Sequence, residues 1–250
     1  TGSLYAAKQP ADGYTLVMGG PGTLAINQLV NPHVKYDARK DFTHLAIVSR
    51  VPVLMLASPQ LKANSVADVI ALAKSKPGTL NVALTGIGSS GHMTTELFKQ
   101  AAGVTLNDVP YKGDVPAMTD LIGGQADLLF VPATSAVTFV QGGRLRALAV
   151  AGTKRLSALP NVPTMAEAGQ PRVINYAWSS LAGPAGMPAT IVKQISQACQ
   201  AILAQPDVVA RLAAISNEPT PGTPEQAAKF ISNEIALWSE VVKAGNIQAS

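Results

Sequence analysis

Cysteine is almost absent from this 250-residue chain: Cys199 stands alone in the alanine-rich stretch Gln197-Ala198-Cys199-Gln200-Ala201. A disulfide within the chain is excluded, and so are zinc sites built on cysteine pairs. Histidine is scarce too, and His33, His44 and His92 form no pair at helical ligand spacing. Charged residues make up 14%, against roughly 25% in an average soluble protein. With 47% apolar residues, intrinsic disorder is excluded, because disordered chains are charge-rich and apolar-poor. Long apolar runs are missing as well. The richest, residues 51–57, is far below the ~18 residues that span a bilayer. The net charge is +4, but lysines and arginines are scattered with no aromatic interleaving. That pattern gives no basic stripe for nucleic acid. Aromatics account for only 5%, while alanine counts 39, glycine 21 and proline 18. Small-residue helices packed closely on sheets fit that profile.

Strand-type and helix-type segments alternate. Asp12-Gly13 is a turn signal, 14–18 an apolar strand, and Gly19-Gly20-Pro21-Gly22 a break. Residues 23–30 read as a short helix, and 45–49 and 51–57 as two strands. Their near-continuous apolar character suggests cover on both faces. Ser65 is an N-cap with Asp68 at the capping position, and Val66, Val69, Ile70 and Ala73 recur at helical spacing until Pro77-Gly78. Then follow a strand at 80–84, a helix at 93–101, a strand at 108–110 and a helix at 116–122. A strand at 127–131, a helix at 134–140 and a strand at 145–151 complete the run. This is a βαβαβαβ pattern, which predicts a parallel sheet covered by helices. Residues 155–171 hold three prolines and read as a surface connection with one short helix at 164–168. A last strand at 178–182 precedes helices opened by Pro188, by Pro206-Asp207 and by Thr223-Pro224-Glu225-Gln226. The last of these is an N-cap, a first-turn proline and a capping-box glutamine.

The sharpest chemical signal is Gly86-Ile87-Gly88-Ser89-Ser90-Gly91, which follows a strand and opens a helix. Free N–H groups of a first helical turn attract an anion, and glycines let it approach. The plain alternative is a glycine-rich turn capped by serines. The same letters spell G-x-G-x-x-G, so an NADP-binding enzyme is a second reading, with Lys112 at the next strand tip available for a 2′-phosphate. Nucleophilic catalysis has no G-x-S-x-G elbow to support it. His92, beside the serines, reads as a neutral, hydrogen-bonded structural residue. In open α/β sheets ligands lie beyond the carboxyl ends of the strands. Those ends give the candidate ligand contacts Gly20, Thr23, Thr85, Gly86, Gly88, Ser89, Ser90, Tyr111, Lys112, Val131 and Thr134. They are rich in neutral donors and poor in acid, which suits a small anion.

Several stretches together carry a resemblance. They include Asp12-Gly13-Tyr14-Thr15-Leu16, Tyr36-Asp37 with Asp41-Phe42, and Gly86-x-Gly88-Ser89 leading to His92. They continue with Val109-Pro110-Tyr111-Lys112-Gly113, Leu121-x-Gly123-Gly124-Gln125 and Leu145-Arg146-Ala147-Leu148-Ala149. Pro160-x-Val162-Pro163-Thr164, Glu167-Ala168-Gly169, Trp178 and Ala182-Gly183-Pro184-Ala185-Gly186 complete the series. Collinear over nearly the whole chain, they resemble the periplasmic solute-binding proteins of tripartite tricarboxylate transporters, the Bug or TctC-type receptors. The resemblance implies an α/β, two-lobed Venus flytrap of type II-like form, each lobe a mostly parallel sheet with flanking helices. Lobe 1 would comprise 1–52 and 175–250, and lobe 2 would comprise 53–174, with the ligand in the cleft. It also implies a receptor rather than an enzyme, without metal or cofactor, acting as a periplasmic monomer that serves the transporter's membrane subunits.

Two departures from the family pattern sharpen the expectation. Where members often carry an acid and an amide, this chain has Val131-Pro132-Ala133. The tip would then disfavour an ammonium group, so the expected ligand is a di- or tricarboxylate or an aromatic carboxylate rather than an amino acid. Second, the family's leading strand, carboxylate-binding loop, helix and second strand have no counterpart before Tyr14. The native protein is therefore expected to extend N-terminally, behind a signal peptide.

Overall fold

The computed structural model describes residues 2–248. In chain order it forms α1 (Gly2–Ala7), β1 (Val17–Gly19), a π-helical turn (Gly22–Ile26) running into α2 (Asn27–Val30), and β2 (Phe42–Ala57). Next come α3 (Val66–Ser75), β3 (Asn81–Leu84), α4 (Ser90–Ala102), β4 (Asn107–Pro110), α5 (Asp114–Ile122), β5 (Leu128–Pro132), α6 (Ala133–Gln141) and β6 (Arg146–Val150). The remainder is β7 (Tyr176–Pro184), α7 (Ala189–Leu203), α8 (Pro206–Ala214), β8 (Glu218–Pro219) and α9 (Pro224–Gly245). The chain divides into two compact units, Thr1–Arg50 with Ala177–Ser250, and Val51–Tyr176.

Helix boundaries follow local chemistry. The Ser65 side chain accepts from the Asp68 N–H and starts α3. Thr223 and Gln226 form a reciprocal capping box at α9, with Pro224 in the first turn. Gly103, at φ 61°, ends α4 in the left-handed conformation that glycine adopts without penalty.

In the first unit β7 lies between β1 and β2. β1 pairs antiparallel with β7, Met18 opposite Leu181. β8 pairs antiparallel with β2, Arg50 opposite Glu218. The core gathers Leu24, Ile26, Leu45 and Trp238, all fully buried. Trp178 meets Phe230 edge-on at 5.4 Å, and both Trp178 Nε1 and Trp238 Nε1 donate to Glu234 Oε2, at 2.8 and 3.0 Å.

In the second unit the order is β6-β2-β5-β3-β4. β3 is parallel to β4 and to β5, whereas β2 is antiparallel to β5 and to β6. The core runs through Val53, Met55, Val69, Val82, Phe98, Leu128, Phe130 and Leu148. Phe98 and Phe130 stack at 5.6 Å.

Four expectations change. The sheets are mixed rather than mostly parallel, because apolar periodicity reports burial and not strand direction; every pair made by β2 with β5, β6 or β8 is antiparallel. The two strands expected at 45–49 and 51–57 are one, since Arg50, polar in sequence, stays in the ladder by pairing its Nε with Glu218 Oε2 at 3.3 Å. The helix expected at 23–30 is π-helical over its first turn. The short helix expected at 164–168 is a turn. Thr164 is committed to a bridge with Val150, and Glu167 Oε2 accepts from both its N–H and its hydroxyl. Between Pro163 and Gly169 there is no length to repay helix nucleation.

Candidate functional site

The parallel strands of the second unit place their carboxyl ends along one edge. β3 delivers residues 85–89, β4 delivers Tyr111, Lys112 and Gly113, and β5 runs straight into α6. β6 points the same way, since it too is antiparallel to β2. Ser135 Oγ donates to Asp114 Oδ2 at 2.8 Å, tying the start of α6 to the start of α5.

The loop after β3 is tightly organised. Gly86 and Gly88 sit at φ 141° and 76°, a region that side chains resist. Ser89 N–H donates to Gly86 O at 3.1 Å. Ser89 Oγ caps α4 by accepting the His92 N–H at 3.1 Å. Gly88 N–H donates to His92 Nδ1 at 3.0 Å. A Cβ on Gly91 would overlap the Phe130 carbonyl oxygen, so this glycine lets α4 pack against β5. The N–H groups of Ser90 and Gly91 have no hydrogen-bond partner among the described residues, and they head a 13-residue helix. That is the arrangement in which backbone donors and the positive end of a helix favour an anion.

The remaining candidates divide by what they already do. Thr85 lies half-buried at the end of β3, and the largely buried Ser90 accepts through its carbonyl from Asn175 Nδ2 at 3.0 Å. The Tyr111 hydroxyl donates to Asp120 Oδ2 at 2.9 Å, and partial burial together with that carboxylate raises its pKa. Lys112 is exposed and pairs with none of the described residues. Thr134 is exposed in the first turn of α6. Val131 is wholly buried opposite Leu54 and packs in the sheet instead of offering a contact surface.

Gly20 and Thr23 belong to the first unit. Gly20 N–H donates to Thr23 Oγ1 at 3.0 Å, so this hydroxyl folds back onto the glycine break that precedes the π-helical turn. Tyr36 donates to the Thr23 carbonyl at 2.6 Å. Thr23 also lines a cavity of about 560 Å³ with Val17, Met18, Asn27, His33 and Tyr36.

Sequence reasoning missed three residues of the second unit, Asn175, Thr153 and Asp114. Asn175, 4% exposed, spans Ser90 O and Thr94 Oγ1 and thereby braces the start of α4. Its signal was a lone amide entering the apolar stretch 173–178. Thr153, just beyond β6, takes both its N–H and its hydroxyl to the Tyr176 hydroxyl, at 2.8 and 3.0 Å; a distant tyrosine gave no local sign of this. Asp114 brings a carboxylate to an edge that reads as acid-poor, and it is engaged by Ser135. Among the described residues no cluster of three metal-ligating side chains occurs, and no helix is long and apolar enough to cross a membrane.

Comparison with known proteins gives this geometry a family. The chain is 36% identical to Protein BugT of Bordetella pertussis over 245 residues, which is 97% of this chain and 74% of that protein. Among solved structures, R. palustris Rpa4515 with adipate superposes with a TM-score of 0.88 at 37% identity, covering 98% of this chain and 82% of that one. MatC from Rhodopseudomonas palustris with bound malate gives 0.82 at 32%, covering 96% and 83%. The periplasmic binding protein BugD gives 0.83 at 27%, covering 98% and 82%. In this chain the G-x-G-x-x-G letters serve a turn at Gly86 and Gly88, a cap at Ser89 and a close helix packing at Gly91. The profile described as tripartite tricarboxylate transporter family receptor matches residues 2–247, and the chain belongs to that family.

Proposed function

We propose that this protein is an extracytoplasmic receptor that binds a small carboxylate and delivers it to the membrane subunits of a tripartite tricarboxylate transporter. The observation that carries the ligand class is that relatives at 37% and 32% identity hold adipate and malate. The loop at 85–89, with the unpaired N–H groups of Ser90 and Gly91, supports it as the place where one ligand carboxylate is held. Thr85, Ser89, Lys112 and Thr134 are the side chains proposed to assist. A di- or tricarboxylate or an aromatic carboxylate is proposed over an amino acid, because Val131-Pro132-Ala133 at the end of β5 offers no acid to pair with an ammonium group. Isothermal titration against adipate, malate, benzoate, aspartate and glutamate tests this. Binding of the non-amino acids is expected; response to aspartate or glutamate alone overturns it.

The division into lobes and the periplasmic location with a signal peptide are proposed with it. Among the described residues β1 pairs on one edge only, and Met18 within it and Tyr14 just before it are 60% and 94% exposed. An open edge strand with apolar neighbours is a surface that proteins ordinarily cover. We take this as support for further N-terminal chain packing there. Intact mass and N-terminal sequencing of natively secreted protein decide it, and a mature form starting at Thr1 refutes it. Sedimentation of the secreted protein tests the proposed monomer.

A further inference from the structure

His92, in the first turn of α4, is tied to the loop before it. Its own N–H reaches back to Ser89 Oγ, and its ring nitrogen Nδ1 accepts from Gly88 N–H at 3.0 Å. One residue thus anchors the loop at two successive positions. The ring is 6% exposed and Gly88 is buried, so water does not replace this bond if it breaks. An acceptor at Nδ1 requires that nitrogen to be unprotonated, which leaves the proton of the neutral ring on Nε2. Nε2 lies 4.0 Å from Glu96 Oε1. That oxygen is taken by Lys99 Nζ, which also bonds Asp108, the one ionisable side chain near the ring from β4. β3 and β5, packed against α4, carry no ionisable side chain. Burial is the main influence on the ring and lowers its pKa; Glu96 and Asp108 raise it, and Lys99 lowers it.

We infer, on the reading that this loop takes the ligand carboxylate, that His92 is a positioning residue: its unprotonated Nδ1 holds the loop in the form that leaves the Ser90 and Gly91 N–H groups free for the anion, and protonation of the ring releases Gly88 and weakens ligand retention. A protonated Nδ1 would set two donors against each other, leaving a buried amide unsatisfied. The loop would then rearrange to find another acceptor.

The test combines NMR of the full chain with adipate titration of wild type, H92N and H92L. In wild type at pH 7.5, imidazole ¹⁵N shifts should show protonation at Nε2, and the Gly88 amide should be protected from exchange. Between pH 7.5 and a pH well below the ordinary 6.5, because burial lowers the ring's pKa, that protection should fall and adipate binding should weaken by about tenfold, the scale of one lost buried hydrogen bond. The asparagine oxygen of H92N takes the place of Nδ1 but does not titrate. It should keep neutral-pH affinity and lose the pH-dependent difference, which also removes the ligand's own protonation from the comparison. H92L should bind weakly at both pH values. An Nδ1-protonated neutral ring, an H92N variant with the wild-type pH response, or an H92L variant with wild-type affinity overturns the inference. A wild type that binds none of adipate, malate, benzoate, aspartate and glutamate while Gly88 protection still follows pH overturns instead the functional reading on which it rests.

Discussion

Single residues carry more of this structure than their types suggest. Gly91 has no unusual backbone angle, yet a methyl group there would meet the Phe130 carbonyl. Gly91→Ala is expected to destabilise the protein by about 1–3 kcal/mol through overpacking, measured by urea unfolding. Glu234 is a largely buried carboxylate held by the indole N–H groups of the chain's two tryptophans. Burial raises its pKa from the ordinary 4.5, and the two indoles oppose the rise. At pH values between the ordinary and the raised one, the folded form therefore keeps a proton that the unfolded chain has released. The stability it contributes is full below the ordinary carboxylate value and is lost as pH rises through the raised one. Tryptophan emission excited at 295 nm should titrate with a midpoint above 4.5, and E234Q should abolish that titration. A midpoint at or below the ordinary value would contradict the burial assigned to Glu234. Both residues show why chemistry was only partly legible in the sequence. Glycine advertised a turn at Gly86 and Gly88, but the need for glycine at Gly91 comes from β5, some forty positions away.

Elements were legible where their boundaries are local. The caps of α3 and α9 are fully local, and Ser65 and Thr223 each accept a backbone N–H three residues on. Thr223→Ala and Ser65→Ala are each expected to cost about 1 kcal/mol in denaturant unfolding, and T223S to cost almost nothing. Equal stability of T223A and wild type would mean that the box contributes nothing. β2 and the 164–168 turn were misread for the opposite reason. A strand persists through Arg50 because a partner, Glu218, arrives from far along the chain. The turn at 164–168 fails as a helix because Thr164 is claimed by Val150. The π-helical turn at Gly22–Ile26 had no periodic signature, since one extra residue per turn over a single turn leaves the apolar spacing almost unchanged.

At the scale of the whole molecule, binding should appear as stability. A carboxylate present at about 100 times its dissociation constant stabilises the folded state by about 2.7 kcal/mol. Thermal unfolding should therefore shift upward with adipate and stay unmoved with NADP; a shift with NADP alone would argue against the receptor reading. The sequence by itself determined the α/β class, the family and the run of strand-end loops, because apolar periodicity, caps and glycine-rich turns are written in neighbouring residues. It also exposed the loop at 85–89, whose glycines and serines are consecutive. Tertiary structure alone decided the strand directions, the removal of Val131 from the candidate contacts, and the bracing of α4 by Asn175. It alone joined Asp114 to Ser135 and Gly88 to the His92 ring. The reason is physical: burial and hydrogen-bond pairing between distant segments depend on where the sheet sets its strands, and no local pattern encodes that placement.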